Sequence, residues 1–406
     1  MTTGQSGRHS LRFVLQLACS FTSTTEIALP SINRQHIGSK SEHAIECRRV
    51  WKVFGGRTPS ELELRQWAQL SKQEIASRFD CIIGVADVSF AVKRGEIFCI
   101  MGLSGSGKST LVRHINRLID PTSGEILVNG ARVDLMGATQ LRKLRNRTVG
   151  MVFQHVALLP HRTVRDNVAF ALELRGNDSR DKGAIADAKL DLVQLTGWGD
   201  RYPDELSGGM QQRVGLARAL AADSDILLMD EPFSALDPLI RRRLQDQFLA
   251  LSREVRKTTV FITHDLEEAI KLGDRIAIMR DGSFIQVGTP EEIVSAPVDD
   301  YVADFVRGIS RLKIFCAEHI MQPLASSNWS QCSTAEGPLR SAHPTTRLET
   351  LVELMIQSPR AILIEAERDQ PVGIVTLPCL LRAIKGSPAP SEIGAIAGGT
   401  PFEVQD

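Results

Sequence analysis

The sequence has no apolar run approaching the roughly 18–20 residues that a bilayer-spanning helix needs. If the protein works at a membrane, another chain does the crossing. It carries no net charge either. Its 48 basic residues balance 48 acidic ones, so no global field points to nucleic acid. Its seven cysteines (Cys19, Cys47, Cys81, Cys99, Cys316, Cys332, Cys379) are odd in number, scattered, and form no C-x-x-C pair. That pattern speaks against a disulfide framework and a zinc site, and for a reducing compartment. The 43% hydrophobic content is that of ordinary globular protein, and 406 residues predict two or three domains.

Against that plain background one stretch stands out. Gly102-Leu103-Ser104-Gly105-Ser106-Gly107-Lys108-Ser109-Thr110 fits the phosphate-binding pattern G-x-x-x-x-G-K-[ST] without a gap. The apolar run Ile97-Phe98-Cys99-Ile100-Met101 before it reads as a buried parallel strand. After it, Leu111, His114, Ile115 and Leu118 recur at helical spacing. Glycines let the backbone curl so that successive N–H groups face an anion, and the helix adds its N-terminal partial charge. Lys108 supplies a point charge for β/γ-phosphates, and the Ser109 hydroxyl suits Mg²⁺. The loop predicts nucleotide binding.

Residues 1–44 are basic, Ser/Thr-rich and poor in acids, which fits a disordered extension or a targeting peptide. Order is expected from about Glu46, with a strand through residues 47–55. One or two amphipathic helices follow in residues 60–79, carrying Leu62, Leu64, Trp67, Leu70, Ile75 and Phe79. Residues 85–92 alternate as a strand, residues 124–130 read as strand plus tight turn, and residues 149–153 form an apolar strand ending on Gln154. An amphipathic helix over 182–196 is predicted to turn Ile185, Ala188, Leu192 and Leu195 inward. Two more buried strands end on polar pairs: residues 226–229 on Asp230-Glu231, and residues 259–263 on His264-Asp265. Strands alternating with helices, with polar residues at strand C-termini, predict an α/β fold with a mostly parallel sheet. The site should lie along its C-terminal edge.

An aspartate at the end of an apolar strand can hold Mg²⁺ beside Ser109, and the next carboxylate can polarise a water for in-line attack. Adjacent acids alone often mark no more than a loop start; Asp230 and Glu231 gain meaning from the phosphate loop. Leu206-Ser207-Gly208-Gly209-Met210-Gln211 is a second anion-facing turn at a helix start, with Ser207 placed as an N-cap.

This last stretch resembles the signature of ATP-binding cassette (ABC) ATPases, usually LSGGQ, with Met210 intervening before Gln211 and Gln212. Gln154 resembles the family's Q-loop glutamine, a catalytic and metal-contacting position. Asp237, in Ser234-Ala235-Leu236-Asp237, resembles the D-loop, and His264 the switch histidine. Phe54, in the setting Lys52-Val53-Phe54-Gly55, resembles the aromatic that stacks on adenine; Trp51 is the competing candidate. The resemblance implies a P-loop ATPase using ATP and Mg²⁺, with Asp230 and Ser109 at the metal and Glu231 as base. Two copies would pack head to tail, so that Ser207, Gly208, Gly209 and Asp237 act on the partner's nucleotide.

Residues 101–110, the run 151–164, residues 229–239, 273–279, 286–290 and 300–302 resemble ATPases of quaternary-amine importers, which serve glycine betaine, proline betaine and choline. The helical insertion, at about 56–82, is shared by that subfamily. The likeness covers residues 46–308, with an ABC domain over 45–308 and a helical subdomain over about 155–222. It implies a peripheral position on the cytoplasmic face of the plasma membrane and an integral permease docked near Leu158, Leu159 and Pro160. An extracytoplasmic binding protein would be engaged indirectly, and no nucleic acid. Importers of amino acids or methionine, and soluble non-transport ABC ATPases, are the alternatives. Residues 309–386 resemble one CBS repeat, with Cys379 where an acidic ribose ligand would stand, and 387–406 form a tail.

Overall fold

In a computed structural model, residues 42–56, 58–67, 70–154, 156–175, 181–324, 339–366 and 370–385 are described. These residues belong to one unit, Ser41–Asp406. The expectations for residues 1–41 and 387–406 lie outside them.

Order begins slightly earlier than predicted. Strand β1 (His43–Phe54) pairs antiparallel with β2 (Ile82–Lys93) and with β4 (Ser123–Val128), which pairs antiparallel with the short β5 (Ala131–Arg132). Along β2 the buried residues Ile83, Val85, Val88, Phe90 and Val92 alternate with outward ones, and the phase slips once, at Asp87. There the backbone turns left-handed (φ 50°), opposite Arg49 at φ 51° on β1. This four-stranded sheet, β2-β1-β4-β5, is wholly antiparallel, whereas the alternation of strands and helices predicted parallel pairing. Antiparallel neighbours are free of the crossover geometry that parallel ones need, and nothing in a strand's own pattern reports which neighbour it takes.

The second sheet has the predicted character. Its six strands run β10-β9-β3-β8-β7-β6, where β3 is Ile97–Met101, β6 Val149–Val152, β7 Ile226–Asp230, β8 Thr258–Thr263, β9 Arg275–Arg280 and β10 Ser283–Gly288. All pairs are parallel except β9–β10. Strands β3, β7 and β8 are buried along their whole length, as strands covered on both faces must be. Helix α3 (Lys108–Ile115) packs Leu111, Val112 and Ile115 into the core between the two sheets. Leu118, expected on that apolar face, lies beyond the helix end and is exposed.

The insertion forms two short helices, α1 (Glu61–Trp67) and α2 (Lys72–Phe79). Ser71 and Glu74 close a capping box at the start of α2. Leu64, Trp67 and Ile75 pack with Trp51, Val53, Cys81 and Ile83 in a small core of their own. Leu62, expected among the apolar contacts, points to solvent.

After the short helix α4 (Ala138–Lys143), α5 (Val164–Leu174), α6 (Lys182–Leu192) and α7 (Gly208–Ala221) lie on the other face of the second sheet. Helix α6 is shorter than predicted and buries a different face. Ala186 and Leu190 are inward, followed by Val193 and Leu195 beyond the last turn, while Ile185 and Ala188 are exposed. The neighbouring helices α5 and α7 choose the buried stripe, and small residues fit it as well as large ones.

Helices α8 (Pro238–Val255), α9 (Leu266–Leu272), α10 (Pro290–Ser295) and α11 (Asp300–Val306) complete this part. The C-terminal part carries a third sheet, β11-β14-β13-β12, with β11 Gln322–Pro323, β12 Arg340–Ala342, β13 Ile362–Ala366 and β14 Gln370–Val375. Helices α12 (Leu348–Gln357) and α13 (Leu377–Lys385) accompany it. Leu348, Leu351, Met355, Ile362, Ile364, Val375 and Leu380 form its core. Cys379 is buried there, with the Thr376 hydroxyl donating to its Sγ at 3.1 Å. Among the described residues no helix is long and apolar enough to cross a membrane.

Candidate functional site

The phosphate loop runs from the end of β3 into α3. Gly102 has φ 152°, and a Cβ there would collide with the Met279 carbonyl oxygen of the neighbouring strand. Only glycine fits so close to the backbone. Gly107 caps α3 with no side chain, so the first N–H groups of the helix keep no side-chain partner and face the loop. The Lys108 ammonium folds back over the loop, donating to the carbonyl oxygens of Gly102 (2.7 Å) and Leu103 (2.9 Å). Burial lowers the Lys108 pKa, and the carboxylates of Glu231 and Asp230 oppose that shift.

At the second position of α3, the Ser109 hydroxyl donates to Asp230 Oδ1 at 2.8 Å. Asp230 is fully buried at the end of β7, and burial raises its pKa. The Ser109 hydrogen bond and the Arg113 guanidinium, 3.5 Å from Oδ2, hold it toward the charged form. Ser109 and Asp230 are oxygen donors of the type a hard divalent cation takes.

Next to Asp230, Glu231 adopts the left-handed backbone conformation at φ 48°, uncommon for a residue with a side chain. The turn swings its carboxylate away from the strand axis. Glu231 Oε2 then receives Gln154 Nε2 at 3.3 Å and lies 3.3 Å from His264 Nδ1. Gln154 follows β6, Glu231 follows β7 and His264 follows β8, three neighbouring strands of one sheet. The sequence placed a polar residue at each strand end, and the sheet order brings all three to one oxygen.

Phe54 and Trp51 are separated by burial. Trp51 is 2% exposed inside the insertion core, whereas Phe54 is 38% exposed at the end of β1. The Phe54 ring lies across Gly84, whose Cβ would stand 2.7 Å from Phe54 Cε2 and 3.4 Å from the Thr110 methyl. The ring therefore sits on the edge of β2 beside the start of α3. The Lys52 ammonium lies 5.0 Å from its centroid.

Ser207 does cap α7, accepting from the Met210 N–H at 3.3 Å, and Asp237 caps α8, accepting from the Ile240 N–H at 3.0 Å. A side chain at Gly208 would meet nothing within 4 Å. Among the described residues, no hydrogen bond joins Ser207, Gly208 or Gly209 to the phosphate loop. The structure thus brings together the loop, Asp230, Glu231, Gln154 and His264, and leaves the signature turn apart.

Two contributors escaped the sequence reading. Arg113 stands one helical turn beyond Ser109, so the i,i+4 spacing could have placed it on the Asp230 face. Gln212 is buried on α7 and bonds to the segment after Glu231, a contact that no local pattern announces.

Residues 85–234 match the family model described as ABC transporter. The chain is 51% identical over 278 residues to the glycine betaine transport ATP-binding protein OpuAA of Bacillus subtilis, covering 68% of this chain and 66% of that protein. It is 49% identical over 276 residues to the glycine betaine/proline betaine transport system ATP-binding protein ProV of Escherichia coli, covering 68% and 69%. The trimethylamine N-oxide transport system ATP-binding protein TmoW of Pelagibacter ubique is 41% identical over 338 residues, covering 82% of this chain and 95% of that one. Among solved structures, a dimeric form of the ATP-binding cassette MJ0796 bound to ADP and Pi aligns with TM-score 0.53 at 30% identity. It covers 61% of this chain and 98% of that one. The fold is that of an ABC cassette, and the chain belongs to the family of ABC-transporter ATP-binding proteins that includes those of glycine betaine transport systems.

Proposed function

We propose that this chain hydrolyses ATP to drive import of glycine betaine or a related small osmolyte, such as proline betaine, choline or trimethylamine N-oxide. It would do so as a head-to-tail dimer, peripheral to the cytoplasmic face of the membrane. A separate permease would span the bilayer and engage an extracytoplasmic binding protein. The observation that carries the catalytic reading is the meeting of Gln154 and His264 at Glu231 Oε2, beside the Ser109–Asp230 pair. The three relatives OpuAA, ProV and TmoW are named for transport of glycine betaine, proline betaine or trimethylamine N-oxide, which favours this reading over amino-acid import or a non-transport role.

In this mechanism Phe54 stacks on the base, and the N–H groups of residues 102–110 and the Lys108 ammonium hold the phosphates. The buried carboxylate and the hydroxyl fit Mg²⁺, which would neutralise phosphate charge and take its remaining ligands from phosphate and water. Glu231 accepts a proton from the attacking water, while Gln154 and His264 fix the carboxylate's orientation. The Ser109 hydroxyl and the Arg113 guanidinium favour the ionised form of Asp230 against the upward pull of burial. Ser207 and Gly209 of the second copy complete the phosphate shell, so one chain holds half a site.

The test is steady-state turnover of Glu231→Gln. Loss of a well-placed general base is expected to cost about 10²–10⁴-fold in kcat, with ATP binding retained. Turnover near the unaltered rate would refute the base assignment. Co-expression with the permease should place the chain in the membrane fraction, and persistence in the soluble fraction would remove the transport role.

A further inference from the structure

The amide of Gln212 is 1% exposed, and its polar atoms all go to one neighbouring segment. Nε2 donates to the Glu231 carbonyl oxygen at 3.0 Å and to Ser234 Oγ at 3.4 Å, and Oε1 accepts from the Ala235 N–H at 2.9 Å. The Ser234 hydroxyl donates to the same Glu231 carbonyl at 3.0 Å. Gln211, its neighbour, instead ties down the turn before the helix through the Pro203 and Leu206 carbonyls, at 2.8 and 3.3 Å. Two adjacent glutamines thus hold opposite sides of the start of α7. One fixes the signature turn; the other grips the peptide of Glu231, the residue whose left-handed backbone aims its carboxylate. Close packing reinforces the link. Gly209 lies alongside the same segment, and a Cβ there would stand 3.1 Å from the Ala235 carbonyl oxygen, so a side chain at this position would press on it.

We propose that Gln212 is a positioning residue that couples the two ATP sites of the dimer. The inference rests on the head-to-tail reading above. In that arrangement Ser207 of a chain contacts the partner's nucleotide, while Glu231 of the same chain serves its own. A shift of α7 on engaging the partner's phosphates is carried by the Gln212 amide to the Glu231 peptide. Each site then becomes reactive when the other is filled, and cooperativity is written into one side chain. A two-state element biased from both sites is what such coupling requires.

The experiment uses the full chain with ATP and Mg²⁺ and compares Gln212→Glu with Ser234→Ala. Gln212→Glu keeps an acceptor for the Ala235 N–H but loses the donor to the Glu231 carbonyl. Ser234 is exposed, so its truncation leaves the core intact and removes one strand of the link. Gln212→Glu is expected to lower kcat about tenfold or more and to bring the Hill coefficient for ATP down toward one. Binding of a fluorescent ATP analogue to the monomer should stay within about twofold. Ser234→Ala should move the Hill coefficient in the same direction by less. A folded Gln212→Glu protein with an unchanged Hill coefficient overturns the proposal, whether or not kcat falls. If Gln212→Glu does not fold, an unchanged Hill coefficient in Ser234→Ala overturns it instead. An unaltered protein that shows no cooperativity, and no ATP-dependent dimer, would instead remove the head-to-tail reading on which the proposal stands.

Discussion

Phe54 and Trp51 lie three positions apart, both aromatic and both ahead of the phosphate loop, and their sequence settings left either free to meet a nucleotide base. Burial separates them. Phe54→Ala is expected to raise the KM for ATP about tenfold, the order of a lost stacking contact of 1–2 kcal/mol, with folding stability nearly unchanged. Trp51→Ala should do the reverse, costing about 3–5 kcal/mol of stability as a core truncation. ATP titrations and denaturant unfolding of the two variants check this. A second residue-scale expectation concerns His114, fully buried on α3. Burial depresses its pKa from 6.5 to about 4, with Lys52 and Asp120 the nearest charges. Its Nδ1 donates to the Ile119 carbonyl at 2.7 Å, which fixes the neutral tautomer and leaves Nε2 without a partner. The folded state binds fewer protons here than the unfolded chain between those two values. The stability from neutral His114 is therefore fully present above pH 6.5 and is lost as the pH falls toward 4. Between pH 7 and 5 this group alone should cost about 2 kcal/mol. The denaturant midpoint of His114→Asn should fall less over that range than that of the unaltered protein. The helical spacing of His114 with Leu111 and Ile115 placed it on the apolar face, and the structure buries it there.

At the scale of elements, strands were easier to read than helix faces. β3, β7 and β8 announced themselves as short apolar runs because both faces are covered, and their polar termini marked the site. The phosphate loop was legible to the residue, since its geometry depends on local backbone and on glycines such as Gly102. Helix α6 was not, because its apolar residues, three of them alanines, spread over more than one face, and the packing of α5 and α7 selects among them. The antiparallel first sheet was missed for a similar reason, since pairing is a property of two strands. The insertion offers a clean test of which helix face is structural. Leu62 and Leu64 stand on the same helix, but Leu62 is 67% exposed and Leu64 only 2%. Leu64→Ala is expected to cost about 2–4 kcal/mol and Leu62→Ala less than about 0.5 kcal/mol. Urea unfolding of both variants measures the difference, and equal costs would contradict the packing of α1 on Trp51.

At the scale of the whole molecule, the proposed site is divided between two chains. The loop, Asp230, Glu231, Gln154 and His264 converge within one copy. Among the described residues, Ser207 and Gly209, in the turn proposed to face a partner's phosphates, make no hydrogen bond to that loop. Sequence motifs foretold the members of this set, and the sheet order explains why three of them meet at one oxygen. The proposed division between a chain's own residues and its partner's rests on resemblance, because no local pattern says that a turn serves another molecule. The identity of the osmolyte lies in other chains, and the ATPase residues bear no chemistry that would select it. The half-site is the central claim, and it is tested most directly by sedimentation of Glu231→Gln, which should trap the state before hydrolysis. With ATP and Mg²⁺ the 44.7 kDa chain is predicted to sediment at twice its mass, and to return to a single copy with ADP. A Glu231→Gln protein that binds ATP yet stays at the mass of one chain would contradict the account.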